Sequence, residues 1–387
     1  MLKILIIHSS YRNFGGEDAV VQQESELLKQ KYHIETLIFE NQKGVDGLSQ
    51  FICSIWNLKA YRIVDKKIKS FKPDFVHLHN WHYGSGPLII RAVKKNKIPL
   101  VSTLHNYRLL CPSATLLFKN KLYLKSLSQD FPWKAVRDGV YRDSKLQTFV
   151  LAMVIWFHSK IATWNKVDLY ICLTTTVASK FVGSKLGISN RKFFIKPNFT
   201  NPYKNSRHQD RQGHFIYIGR LSEEKGIRIL LETFKALDEQ LHIAGDGPLK
   251  GEVELVSKQH PNIRYLGILP KDDVRDQIAQ STALIFPSIW LETFGLTIIE
   301  AFSAKTIVLA SNLGGPSTMI ANGVNGFLFE PNSVNALKGA IQKFNDLTEG
   351  KKEQIRVASL KEYEAKYSPS AQFDYFETIS KMLKSNN

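Results

Sequence analysis

Short runs of β-branched and aliphatic residues alternate with amphipathic segments along almost the whole chain, the pattern of a parallel sheet wrapped by helices. In the first half, strands are predicted at 2–7, 34–39, 75–78, 99–103, 169–173 and 193–195, with helices between them, as over 18–30 and 87–95. The alternation restarts with strands at 215–218, 241–244, 263–266, 283–286, 307–309 and 327–329. Two doubly wound α/β domains are expected. Residues 198–213 hold almost no apolar side chains, so no core element fits there. The expected division is therefore a first domain over 1–200, a linker at 201–213 and a second domain over 214–366. In 367–387 a proline is followed by Phe373, Phe376, Ile379 and Leu383 at helical spacing, which predicts a terminal helix with one apolar face.

At 387 residues the chain can bury two cores. Its charge is lopsided: 52 Lys+Arg against 35 Asp+Glu gives +17, with 30 basic and 13 acidic residues in the first 200 positions and 22 of each after them. An excess confined to one half concentrates anionic partners there and says nothing of fold. The three cysteines, Cys53, Cys111 and Cys172, form no C-x-x-C pair, which suits a reducing cytoplasm and excludes a disulfide framework. The longest apolar stretch, 149–157, is well short of the roughly 20 residues that cross a bilayer.

One stretch, about 119–166, breaks the alternation. It has nine basic and three acidic residues interleaved with Phe131, Trp133, Trp156, Phe157 and Trp164. Aromatic rings beside cations suit an anionic membrane interface; the alternative is a set of helices packed on the first domain with a solvated basic face.

In doubly wound sheets ligands bind beyond the carboxyl ends of the strands, so the residues just after each strand are the candidates. Gly15 and Gly16 follow the first strand and open a helix, where backbone N–H groups can approach an anion. Arg220 and Lys225 lie on one βα-loop before Gly226, a fork and a point charge suited to a diphosphate. Gly245-Asp246-Gly247 departs from a dinucleotide fingerprint because the third glycine, Gly251, falls one residue late. Glu292 lies in the loop before a helix opening near Gly295, and Glu300 sits inside that helix among Ile298, Ile299, Ala301 and Phe302, where an ionised carboxylate needs a polar partner such as paired sugar hydroxyls. His105 follows the strand at 99–103; His77 and His79 form an H-x-H to which spacing adds no third metal ligand.

Taken in order, Gly15-Gly16-Glu17, the strand ending in His77-Leu78-His79, Leu104-His105-Asn106, Gly219-Arg220-Leu221 through Lys225-Gly226, Ala244-Gly245-Asp246-Gly247-Pro248 and the Glu292/Glu300 spacing resemble the retaining glycosyltransferases of family 4, of bacterial polysaccharide type, over nearly the whole chain. The resemblance implies a GT-B fold: two Rossmann-like domains facing a central cleft, with a terminal helix that crosses back to the first. It implies transfer from a UDP-, GDP- or dTDP-sugar to a hydroxyl of a glycan acceptor, such as a polyprenyl-diphosphate-linked sugar, in capsule, exopolysaccharide or other cell-surface glycan synthesis. Arg220 and Lys225 then match the diphosphate-neutralising pair, Glu300 the ribose carboxylate, and Glu292 the carboxylate facing the donor sugar. Phe294, Gly295 and Leu296 match positions whose backbone contacts sugar and phosphate, His105 the active-site histidine, and Gly15 and Gly16 the loop beside the diphosphate. Asn106 and Thr318 stand where the family often has Asp and Glu.

No cofactor or metal is expected, and no D-x-D occurs in the chain. The basic first half suits a cytoplasmic enzyme held peripherally at the inner face of the cell membrane. Nucleic acid is not an expected partner, since no binding motif accompanies the charge. The alternative reading is a non-catalytic, transferase-like subunit of a glycosyltransferase complex.

Overall fold

A computed structural model describes residues 1–11, 15–42, 44–204 and 211–385, without the side chains of residues 44–46 and 48. The chain divides into two compact units. The first comprises Met1–Phe118, Leu122–Lys196 and Tyr375–Asn387, and the second Lys119–Lys121 and Pro197–Asp374.

The first unit is built on β1 (Lys3–Ser10), β2 (His33–Glu40), β3 (Phe75–Asn80) and β4 (Leu100–Leu104); a short hairpin, β5 (Leu117–Phe118) with β6 (Lys121–Leu122), follows in sequence, and β7 (Leu169–Cys172) and β8 (Phe193–Ile195) complete the first unit's strands. Its six-stranded sheet runs β2-β1-β3-β4-β7-β8, with parallel pairing throughout. Ile4, Leu5, Ile6 and Ile7 are all fully buried, because a strand covered on both faces is apolar at every position.

The second unit contains β9 (His214–Ile218), β10 (Gln240–Ala244), β11 (Ile263–Gly267), β12 (Ala283–Phe286), β13 (Ile307–Ser311) and β14 (Phe327–Phe329). These pair in parallel in the order β11-β10-β9-β12-β13-β14. Counted within the sheet this is 3-2-1-4-5-6, the order of dinucleotide-binding domains, and its direction reverses between β9 and β12. Phe215, Leu230, Phe234, Leu241, Ile285, Leu309 and Phe344 belong to the core beneath.

Residues 205–210 of the expected linker lie outside the described residues. Arg211, in the same polar stretch, is anchored: its guanidinium donates to the carbonyls of Ala279, Ser281 and Lys305 and to Thr306 Oγ1 at 2.7–3.0 Å. Burial lowers its pKa to about 10. The terminal helix Pro369–Ser385 spans the unit boundary. From Tyr375 onward it belongs to the first unit, where Phe376, Ile379 and Leu383 are buried.

In the 119–166 segment, helices Trp133–Asp138 and Lys145–Lys160 form. Trp164, expected among the interface aromatics, is instead core: it is fully buried and its Nε1 donates to the Ile155 carbonyl at 3.1 Å. The apolar stretch 149–157 lies within the second of these helices and buries Leu151, Ala152, Val154 and Ile155. Trp133 and Leu146 are 62% and 68% exposed, and Lys125, Lys134, Arg137, Lys145 and Lys160 of the same segment are exposed too. Among the described residues no helix is long and apolar enough to cross a membrane.

Candidate active site

At the carboxyl ends of β9 and β12 two loops are locked together. Gly226 has a φ of +75°, and a Cβ there would collide with the Pro287 carbonyl oxygen, so only glycine fits. The Ile289 amide donates to the Glu224 carbonyl at 2.9 Å. This brings together two sequence candidates. Lys225 donates to Glu292 Oε1, and Ser288 Oγ donates to the same oxygen at 2.8 Å. Glu292 is only 4% exposed, and the Lys225 ammonium also lies 5.3 Å from the centre of the Trp290 ring. The Gly315 amide donates to the Glu292 carbonyl at 2.6 Å, so the loop after β13 braces the same residue.

Arg220 follows β9 but is not drawn into this pair. Its side chain is exposed and has no ion-pair partner among the described residues; its carbonyl accepts from Tyr217 Oη at 2.8 Å. The helix Leu296–Ser303 starts from Gly295 in an extended conformation, and no side chain caps it. Its first N–H groups suit an anion. Phe294 is buried, with its ring 6.0 Å from that of Tyr367. Glu300 is half-buried in this helix, and its carboxylate has no hydrogen-bond partner among the described residues. Burial pushes its pKa above the ordinary value, and Arg275 and Lys271 oppose the rise. The glycines of the β10 loop are structural: the Leu221 amide donates to the Asp246 carbonyl at 2.8 Å, and the Gly245 amide to the Gly267 carbonyl. Thr318 is exposed and donates to the Gly315 carbonyl at 2.9 Å.

In the first unit the order also reverses, between β1 and β3. Gly16 opens the helix Gly16–Leu28 from Gly15, and Asp18 fastens that start, accepting from the amides of Gly15 at 2.8 Å and Tyr11 at 3.2 Å and meeting His8 Nε2 at 2.9 Å. Asn106 donates to Glu17 Oε1 at 2.9 Å, tying the loop after β4 to the same helix start. His105 is buried; its Nε2 lies 3.0 Å from His79 Nδ1, whose Nε2 lies 3.0 Å from Glu24 Oε1. Burial lowers the pKa of both histidines to about 3. Burial raises Glu24, but Lys196, His77 and His79 outweigh it and hold the carboxyl well below the ordinary range.

The H-x-H thus acquires the third group that spacing did not supply. Glu24, His77 and His79 place their ligand atoms within 4.8 Å of one another. Lys196 Nζ sits 2.7 Å from the other Glu24 oxygen and already compensates its charge. Sequence reading missed Asp18, Glu24 and Lys196. A signal for Glu24 exists: it falls on the helix face of Val20, Val21 and Leu28, all buried.

Two family models match this chain: Glycosyltransferase Family 4 over residues 53–203 and Glycosyl transferases group 1 over 200–360. The chain belongs to glycosyltransferase family 4. An uncharacterized glycosyltransferase of Methanocaldococcus jannaschii is 26% identical over 88% of this chain and 88% of its own. The O-antigen chain mannosyltransferase B of Escherichia coli is 29% identical over 42% of this chain and 45% of its own. The Anabaena protein HepE, solved with UDP and glucose, superposes with a TM-score of 0.68 at 16% identity, over 98% of this chain and 100% of that one. That likeness shows the GT-B fold for this family 4 enzyme.

Proposed function

We propose that this glycosyltransferase moves a sugar from a nucleotide-diphosphate sugar to a hydroxyl of a lipid-linked glycan acceptor, with retention of configuration and without a metal. The observation that carries the reading is the meeting of Lys225 with buried Glu292 beside an uncapped helix start, at the point where the second unit's strand order reverses. In the reaction the bond from anomeric carbon to phosphate oxygen breaks, positive charge grows on the sugar and negative charge on the departing diphosphate. Lys225, Arg220 and the N–H groups after Gly295 are suited to hold that diphosphate, which stabilises the transition state more than the ground state. Glu300 accepts from the ribose hydroxyls, which supplies the partner its carboxylate lacks. The acceptor hydroxyl attacks from the face the diphosphate leaves, and its proton passes to the departing phosphate oxygen. Phe294, Gly295 and Leu296 contact sugar and phosphate through their backbone. His105, Gly15 and Gly16 take the donor-side roles that family membership implies.

The first unit is assigned the acceptor. Its basic surface with exposed Trp133 and Leu146 suits a polyprenyl-diphosphate-linked glycan at an anionic membrane, and the E. coli O-antigen relative supports a cell-surface glycan product. The experiment is a panel of UDP-, GDP- and dTDP-sugars read by thermal stabilisation and donor hydrolysis. One donor at about 100 times its Kd should stabilise by about 2.7 kcal/mol, raising Tm by roughly 5 °C or more. No stabilisation by any member, or full hydrolysis by Lys225→Ala, overturns the reading.

A further inference from the structure

Among the described residues two lysine or arginine side chains are buried, Lys196 and Arg108. Lys196 has the Glu24 carboxylate at 2.7 Å. Arg108 has no carboxylate at ion-pair distance among the described residues, and its side chain makes one hydrogen bond, from Nη2 to Tyr11 Oη at a long 3.4 Å. A guanidinium carries five N–H donors, and a charge taken out of water without a counter-ion is costly. Arg108 is 7% exposed and none of its nitrogens is sealed off, so the fork is reachable from outside.

The fold sets this fork where a ligand belongs. Arg108 follows β4 in a turn that its own amide closes by donating to Asn106 Oδ1 at 3.0 Å. Tyr11 directly follows β1, so the guanidinium stands beside the reversal of strand order between β1 and β3, within the first unit. Its neighbours supply little negative charge. Burial and Glu17 raise the pKa of Tyr11 against the pull of Arg108, so the phenol keeps its proton. Burial, Arg108 and Arg142 hold His82 well below its ordinary range, so that ring is neutral. Its Nε2 lies 3.1 Å from Tyr141 Oη, and a second cation, Arg142, stands 5.3 Å from the centre of the Tyr141 ring. Glu17 makes no ion pair with Arg108, and its Oε1 accepts from Asn106 Nδ2. With Asn80, His105 and Asn106, Arg108 lines a cavity of about 30 Å³ at the carboxyl ends of β3 and β4. A water needs roughly 10–15 Å³, so there is room for two, the number of oxygens a carboxylate or phosphate offers a guanidinium.

We infer that Arg108 binds an oxyanion of the acceptor, the carboxylate of an acidic sugar or the phosphate of a lipid carrier, through two parallel N–H···O bonds. The inference rests on the reading that assigns the acceptor to the first unit. Its consequence is selectivity: an acceptor charged at this point gives the guanidinium the counter-ion it lacks, whereas a neutral glycan leaves it unpaired.

The test is calorimetric titration of the full-length protein with no donor present, using methyl glucuronide against methyl glucoside and geranyl phosphate against geraniol. At least one charged probe should bind tenfold or more tightly than its neutral counterpart, and which one does so identifies the source of the oxyanion. Arg108→Gln should erase that preference. Arg108→Lys, which keeps the charge without the fork, should retain only part of it. Without ligand, Arg108→Gln should melt at or above the wild-type temperature, because it removes a buried charge that has no counter-ion; an arginine that merely supports the fold would melt lower when replaced. No preference for either charged probe, a preference that survives Arg108→Gln, or a melting temperature more than about 3 °C below wild type overturns the inference. Lys225→Ala separates the two readings: it should lose UDP binding and keep the charged-probe preference, so a failed donor assignment leaves the result at Arg108 to be decided by its own titrations.

Discussion

Lys225 donates to Glu292 across 67 residues of sequence, and the carboxylate that receives it is almost fully enclosed. Two side chains assigned to one donor are thus already paired with each other. Removing Lys225 leaves the enclosed Glu292 carboxylate without its cation, whereas the Lys225 ammonium is a quarter exposed and keeps access to water. Lys225→Ala should lower donor turnover by at least 100-fold and cost about 2–3 kcal/mol of stability. Adding Glu292→Gln should return part of that stability and none of the activity. Thermal melts alongside hydrolysis rates check both, and a double variant as unstable as the single would mean the pair is not the source of the loss.

Glu300 should behave in the opposite sense. Its folded pKa is raised by burial, so its contribution to stability is fully present below the ordinary carboxylate pKa and is lost as pH rises through the folded value. Burial therefore works against ionisation of a carboxylate that has no hydrogen-bond partner among the described residues. Glu300→Gln should melt at or above the wild-type temperature at pH 7 while raising the KM for the donor about tenfold, because the ribose loses a charged acceptor. Unchanged KM would remove Glu300 from the nucleotide site.

His79 and His105 set an acid limit for the first unit. Both titrate near 3 when folded against about 6.5 when unfolded, so the unfolded chain binds more protons throughout that window. Stability should fall as pH drops from 6.5 towards 3, each histidine adding a slope of at most about 1.4 kcal/mol per pH unit. Glu24, held below its ordinary range, adds to the loss once pH passes under the unfolded carboxylate value. Urea midpoints measured from pH 7 to 4 should show this slope, and His105→Gln should flatten it.

Trp133 and Leu146 predict where lipid contact occurs. Vesicles containing anionic lipid should sediment the protein at low salt and less of it at high salt, because a Debye length near 10 Å at 0.1 M screens the basic surface. Trp133→Ser/Leu146→Ser should weaken sedimentation at both salt concentrations by removing the apolar share. Equal binding to neutral vesicles would remove the electrostatic part of the proposal.

Every strand of the two large sheets was readable from its own residues. Strands buried on both faces, such as β1 and β13, are unbroken apolar runs, and that signal is local. The turn chemistry was readable for the same reason: Gly226 occupies a backbone conformation few other residues adopt, so its place between Lys225 and a helix marks the loop. Trp164 was misread because aromatic content alone does not distinguish a ring at an interface from one in a core; its burial depends on which elements close over it.

By itself, then, the sequence determined two parallel α/β sheets and the loops at their carboxyl ends, on which the residues proposed to meet a diphosphate lie. Tertiary structure alone decided the pairings: Lys225 with Glu292, His79 with Glu24 at 55 residues' separation, and Lys196 with Glu24 at 172. The physical reason is that strand and turn propensities act between neighbours along the chain. The charge and tautomer of a buried side chain are set by whatever the fold carries to within about 3 Å of it.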